Sequence, residues 1–414
     1  MEDMPNESVV GNNYRIVILI TLYIVFSSMF AILFPVESKY GIHYGILMQI
    51  IFISVFFIFS ILSYALIFNK NEIILLQSTI SSFYVIKIPL FLSLLGIFFI
   101  LIDRIVYRGI NPLVMSPALV RYMLNESEGG ISSVFSLLGN ILQCFVIIPS
   151  YYVISRRVYV RWFFFPSLVI ISLFSSLLLG GRTPLLCFLV LNLGFLIMHH
   201  KLKIGFLIKF LMVFILFVAF SVSVFILRAE ATGVDSDEYA VNLLRHLHFV
   251  PESISISAGN VFDDILNYTL VVFAYAFHPY SISSDAILNG SGKGNITFYA
   301  ISFLLAKFFP IDLIALKHDY YEMFVSLPGG IYYDYGIIGV VGISFILVII
   351  NALSLHALCK TKGRSDTAKI MISMIICIFI FSPLLNAFNF VFFIFYLFVL
   401  VSYFFFLNFI GNKR

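Results

Sequence analysis

The chain has 414 residues, of which 61% are hydrophobic, 17% aromatic and only 11% charged. A soluble domain carries about 25% charged residues, so this composition excludes an ordinary water-soluble fold and points to an all-α polytopic membrane protein. The net charge of +4 is small and scattered, which argues against a nucleic-acid partner.

Apolar runs predict spans near 15–34, 44–68, 81–102, 131–154, 162–180, 184–199, 204–227, 331–358, 368–386 and 388–410. The first run follows the acidic start MEDMPNE and lacks a small-residue cleavage site, so it reads as a first membrane helix rather than a signal peptide. Cys144, Cys187, Cys359 and Cys377 lie in or at the ends of apolar runs without CxxC spacing, and read as small buried hydrophobes.

Three cation-rich loops and the tail set the orientation. They are SRRVYVR (Arg156, Arg157, Arg161), HHKLK (Lys201, Lys203), CKTKGRSDTAK (Lys360, Lys362, Arg364, Lys369) and the tail with Lys413 and Arg414. Ten spans place all four on one side, which is then the cytoplasm. The 103–130 segment, with Arg104, Arg108 and Arg121, falls on the other side and fits the rule poorly. The opposite face also receives the long segment 228–330, which holds more than half of the acidic residues. Three regions follow: N-terminal membrane helices over 1–227, a large outer loop over 228–330, and C-terminal membrane helices over 331–414. Within the loop, 265–279 and 296–309 are short for spans and read as interfacial or re-entrant helices; were both to span, the count would rise to twelve.

Arg182 lies in the turn GGRTP between two apolar runs. One reading is a cation snorkelling to the interface. The other is an inward-facing guanidinium whose planar fork grips an anion. Arg228 ends the next outward-going span and Arg245 follows in LLRHLHF, so three arginines reach one face. Such a set suits a strongly anionic ligand, a diphosphate being the natural candidate.

The run HDYYEMFVSLPGGIYYDYGIIGVVG, from His318 to Gly342, concentrates His318, Asp319, Glu322 and Asp334 ahead of a glycine-dotted helix. Asp334 is near a helix start, where a carboxylate caps backbone N–H groups, or it takes part in chemistry. His318 and Glu322 are four apart and would share a helix face, as a base with its orienting partner or as a solvated surface. NGSGKGN (Asn289 to Asn295) departs from a phosphate loop, with Gly294 after the lysine where Ser or Thr is required. His246 and His248, two apart, do not share a helix face, which argues against zinc.

The GGRTP turn, the arginine ending the next helix, the long outer loop and the run P-G-G-x-Y-Y-D-Y-G-x-x-G before a late helix resemble the O-antigen polymerase family of oligosaccharide repeat-unit polymerases. The resemblance implies a GT-C-like membrane fold of about ten to twelve helices in the bacterial inner membrane, with its active site facing the periplasm. It implies a glycosyl transfer in lipopolysaccharide biosynthesis. A glycan on undecaprenyl diphosphate is the donor, and one repeat unit on a second undecaprenyl diphosphate is the acceptor. No metal, cofactor or nucleotide sugar is required. Arg182, Arg228 and Arg245 would hold the leaving diphosphate. Glu322 or His318 would take the acceptor proton, with Asp334 as a further catalytic candidate. Membrane lipid, the pathway's chain-length regulator and its flippase are the expected company. An O-antigen ligase shares the outer loop and the arginine logic. A flippase would instead show short loops and an internal repeat, and neither is found.

Overall fold

The computed structural model describes residues 6–67, 83–115, 119–120, 123–124, 133–155, 164–179, 181, 183–199, scattered positions between 215 and 226, 235–251, 261–290, 295–306, 320, 323–361 and 365–411. The described residues are almost wholly helical. In chain order the helices are α1 (Asn6–Ile32), α2 (His43–Ile67), α3 (Ile88–Ile102), α4 (Val134–Gln143), α5 (Ile147–Ile154), α6 (Phe164–Leu178), α7 (Thr183–His199), α8 (Ser236–His246), α9 (Val261–Asn289), α10 (Tyr299–Leu305), α11 (Leu327–Lys360), α12 (Asp366–Phe381) and α13 (Val391–Gly411). The two-residue strands β1 (Glu37–Ser38) and β2 (Phe249–Val250) pair antiparallel.

Five segments among the described residues are long and apolar enough to cross a membrane: Asn13–Leu33, His43–Tyr64, Tyr84–Tyr107, Val134–Ile154 and Leu327–Lys360. Shorter apolar helices cover Phe164–Leu178, Thr183–His199 and Val391–Phe404. The protein is therefore an all-α protein built around membrane-type helices. The expected span 204–227 lies largely outside the described residues, as do most of the cations that set the orientation.

The chain divides into two compact units, Met1–Ile74 with Leu202–Phe390 and Leu75–Lys201 with Val391–Arg414. In the first, α1, α2, α11 and α12 form a four-helix bundle whose directions follow from its contacts. Asn13 near the start of α1 bonds to Asn351 late in α11, Nδ2 to Oδ1 at 3.4 Å. Tyr14 meets Tyr64 near the end of α2. At the other end Ala31 packs with Ile46, and Gln49 exchanges hydrogen bonds with Ser382, just beyond α12 (2.8 and 3.1 Å). Thus α2 and α11 run parallel, and α1 and α12 run against them. Phe52 and Phe56 close on Phe379 in the centre, at ring distances of 5.3 and 4.4 Å. Outward-facing Phe30, Leu33, Ile338 and Leu353 are exposed, as suits a surface that meets lipid rather than water.

Over the end marked by Ile46 and Ser382 lies a capping layer of β1, β2, α8, α9 and α10. The two stretches expected as short helices need correction. Residues 265–279 belong to one continuous helix, α9, of 29 residues, about 43 Å long. It runs through Pro279, and the described part of 296–309 holds only the seven-residue α10. α11 starts at Leu327, four residues ahead of the expected 331, because Ser326 caps it and Pro328 fits the first turn.

In the second unit α3 and α4 cross through glycines. A Cβ on Gly96 would lie 2.8 Å from the Leu142 carbonyl carbon, and one on Gly139 would lie 2.9 Å from the Gly96 oxygen. Small residues allow such backbone approach in membrane helices. At the end of α3 a π-helical turn, Asp103–Tyr107, buries Asp103 between Arg104 and Arg108, both at 3.1 Å. Its other oxygen accepts from Ser133, the cap of α4. Two of the three arginines that fit the charge rule poorly are thus paired with a carboxylate.

Candidate functional site

The capping layer is held by one segment of α9, His278 to Asp285 (HPYSISSD). From Tyr280 onward, each polar side chain reaches a different neighbour. Tyr280 Oη contacts Ser27 Oγ of α1 at 3.1 Å. Ser281 meets Ser38 of β1. Ser283 Oγ lies 2.7 Å from Ser326 Oγ, the cap of α11, and accepts from the Ser326 N–H at 3.1 Å. Ser284 Oγ accepts from the Gly45 N–H of α2 at 2.9 Å. Asp285 accepts from Tyr320 Oη at 3.0 Å and from Asn289 Nδ2 at 2.8 Å. This dense polar run in an apolar chain was the sequence signal for the segment, and motif reasoning passed over it.

The PGG run is the complementary surface. A Cβ on Gly329 would collide with the Ser283 side chain, and one on Gly330 would lie 2.9 Å from Ile296 Cγ2 and 3.0 Å from Asn386 Nδ2. Tyr333 packs where Gly290 leaves room, at 2.7 Å from the position of a Cβ there. Asp334 uses both carboxylate oxygens on backbone amides, Oδ1 from Ile296 N–H at 2.9 Å and Oδ2 from Thr297 N–H at 2.6 Å. It ties the segment before α10 to α11, so the amides it caps belong to a neighbouring segment and not to its own helix. Gly336 then breaks α11 with φ 64° and ψ −165°, a region essentially closed to other residues. The stretch 327–335 is thereby a separate helical piece of the capping layer.

Basic and imidazole groups gather beside this framework. Lys39 donates its backbone N–H to the His248 carbonyl at 2.9 Å, and its Nζ lies 5.4 Å from the Tyr40 ring centroid. The Tyr40 ring is 5.2 Å from that of His248. His248 holds a positive φ of 61°, an uncommon conformation for a side-chain-bearing residue. Burial, then the nearby charges of Lys39 and His246, hold the His248 imidazole below its usual range, against an opposing pull from Asp285. His278 is 2% exposed; burial first, then His248 and His246, push it down to about 3. His246 thus bears on both His248 and His278, and His248 on His278. The two-residue spacing of His246 and His248 does not forbid this, because α8 ends at His246 and His248 lies beyond it. Among the described residues no group of three or more His, Cys, Asp or Glu is placed to hold a metal ion.

Of the residues singled out from the sequence, Arg182, Arg228, His318 and Glu322 lie outside the described residues, as do the four central positions of NGSGKGN. Arg245 is on the exposed side of α8 in its last turn, where the partial negative charge of the helix end favours a cation. Arg245 and Asp334 both belong to the capping layer. What the layer offers chemically is an exposed cation on α8, neutral imidazoles, and aromatic rings including Tyr275 and Phe324, on a rigid hydrogen-bonded base. Comparison with family models, with curated proteins and with solved structures returns no match to this chain.

Proposed function

We propose that the protein is an O-antigen polymerase. It joins undecaprenyl-diphosphate-linked oligosaccharide repeat units at the periplasmic face of the bacterial inner membrane, on a GT-C-like fold of ten to twelve membrane helices. The observation that supports the reading is the helical layer that the described parts of the 228–330 segment build over one end of the bundle. That end is opposite the loop joining α11 to α12, whose sequence CKTKGRSDTAK marks the cytoplasmic side. A membrane enzyme that handles lipid-linked sugars on the far side needs such a platform beside apolar helices that accept polyprenyl chains.

In the reaction an acceptor hydroxyl attacks the anomeric carbon of the donor glycan. The new glycosidic bond forms as the bond to the lipid diphosphate breaks, and the leaving diphosphate takes the electron pair. Arginines there offset the growing negative charge; Arg182, Arg228 and Arg245 are assigned that role, and Glu322 or His318 that of proton acceptor. Asp334, with both oxygens engaged by backbone amides, serves by holding the segment before α10.

A lipopolysaccharide gel tests the reading. A deletion strain should show core plus a single repeat unit, and the wild-type gene should restore the ladder while Arg182→Ala should not. Loss of even the single unit on deletion would favour a ligase or flippase and overturn the polymerase reading.

A further inference from the structure

A cluster of basic side chains forms where the loop between α1 and α2 meets the end of α8. Two backbone hydrogen bonds build it. The His248 N–H donates to the Arg245 carbonyl at 3.0 Å, and the His248 carbonyl accepts from the Lys39 N–H at 2.9 Å. Lys39 is thereby set beside Arg245, His246 and His248, which lie far from it in sequence. The positive φ of His248, 61°, turns the chain from α8 into β2. The Tyr40 ring joins the two sides: Lys39 Nζ lies 5.4 Å from its centroid, and the His248 ring 5.2 Å.

The C-terminal end of a helix attracts cations, which accounts for Arg245 and His246 in the last turn of α8. It does not account for Lys39, which another segment brings to the same place. Arg245, His246 and Lys39 are exposed and His248 is half-buried. Lys39 forms no ion pair with a described carboxylate. The acid that acts on His248, Asp285, has its oxygens engaged by Tyr320 and Asn289. Cations gathered in this way repel one another, and an anion between them relieves the repulsion. Burial, then Lys39 and His246, hold the His248 imidazole below its usual range, so it serves as a neutral N–H donor beside the Lys39 and Arg245 cations. The position selects the kind of anion. Lys39 lies in the short loop between two helices long and apolar enough to cross a membrane. Phe30 and Leu33 are exposed just before it, at the end of α1, and Tyr44 and Leu47 just after it, at the start of α2. The cluster therefore stands where apolar lipid-facing surface gives way to the polar cap, at the level where basic groups meet phosphate headgroups.

We propose that Lys39 and His248 form, with Arg245, a binding site for a lipid-borne phosphate, the lipid chain lying along the exposed faces of α1 and α2. For the identity of the lipid the inference rests on the polymerase reading, in which it is the undecaprenyl diphosphate of the donor or the acceptor. Lys39 and His248 then join Arg245 in holding that diphosphate. Both are binding residues in this scheme, and neither takes the acceptor proton.

The test uses the full-length protein in detergent, with undecaprenyl diphosphate, phosphatidylglycerol and inorganic diphosphate as probes. Lys39→Gln removes the charge at similar length from an exposed position, and Lys39→Arg keeps it. His248→Asn removes the imidazole with a residue type that tolerates a positive φ. The expected result is a Kd for undecaprenyl diphosphate raised about 10-fold in Lys39→Gln, near wild type in Lys39→Arg, and raised also in His248→Asn, with the unfolding temperatures of both Lys39 variants unchanged. Equal binding by wild type and Lys39→Gln overturns the proposal. So does equal affinity for inorganic diphosphate, since the lipid chain would then add nothing. Lys360→Gln, at the other end of the bundle, should bind like wild type; a loss as large as that of Lys39→Gln would mean that only net charge counts, and would also overturn the site. Phosphatidylglycerol bound as tightly as undecaprenyl diphosphate, and weakened in the same way by Lys39→Gln, keeps the lipid-phosphate site and assigns it to membrane lipid at large. Ladders from the same strains separate the two ideas. If deletion leaves the ladder intact while Lys39 governs lipid binding, the polymerase reading fails and the site stands. If deletion collapses the ladder while Lys39→Gln binds and polymerises like wild type, the site fails and the polymerase reading stands.

Discussion

Two glycines six residues apart in α11 give opposite forecasts for the same substitution. Neither Gly336 nor Gly342 has any atom within 4 Å of where a Cβ would be built, so alanine fits both positions sterically. Only Gly336 has a backbone, at φ 64° and ψ −165°, that alanine cannot adopt without strain. Gly336→Ala should cost about 1–3 kcal/mol through that strain. Gly342→Ala should be stabilising by about 0.5–1 kcal/mol, because glycine in a helix interior has more freedom to lose. The difference of about 1.5–4 kcal/mol corresponds to several degrees, at about 2–4 °C per kcal/mol for a domain of 150–250 residues. Detergent-solubilised variants compared by fluorescence-detected size exclusion after a heating series would measure it. Equal unfolding temperatures for the two variants would refute the break at Gly336 and leave α11 a continuous helix.

Other outcomes follow from the same contacts. Gly45→Ala should lower the unfolding temperature more than Gly336→Ala, because its Cβ would collide with the backbone of Tyr280, which cannot rotate away; a stable Gly45→Ala protein would contradict the docking of α9 on α2. Asp334→Asn removes one charged acceptor and sets an amide against a backbone N–H, which should cost about 2 kcal/mol and speed hydrogen exchange at Ile296 and Thr297. Unchanged exchange at those amides would rule out the tether. The depressed His278 titration makes stability depend on pH with a definite sign. Below 6.5 the unfolded chain binds a proton that the folded chain refuses until about 3, so stability is complete above 6.5 and falls as pH drops through that window. The loss is about 2 kcal/mol at pH 5. Unfolding temperatures at pH 7.5 and 5 should show it, and His278→Leu should remove that part; the same pH response in the variant would assign the effect elsewhere.

The helical class was legible because composition and run length are local properties. α2, α6 and α7 begin and end close to the boundaries that the apolar runs drew. The PGG and YDYG residues were legible as a cluster, but their jobs were not. Gly329 makes room for Ser283, forty-six positions earlier in the chain, and Asp334 reaches back to Ile296 and Thr297. A single sequence carries no record of such pairings. The same limit hid the burial of His278, which depends on what packs over α9.

The sequence by itself determined that this chain lives among apolar helices, and which end of the helix pair at 361–365 carries the cations, since hydropathy and charge act residue by residue. Only the tertiary structure decided that α9 is one long helix, pinned within little more than one turn, Tyr280 to Ser284, by contacts to α1, β1, α2 and α11. It also decided that His246 and His248 lie close enough to His278 to disfavour its charged form. Those facts depend on which surfaces meet, and surfaces meet only once the chain has folded back across hundreds of residues.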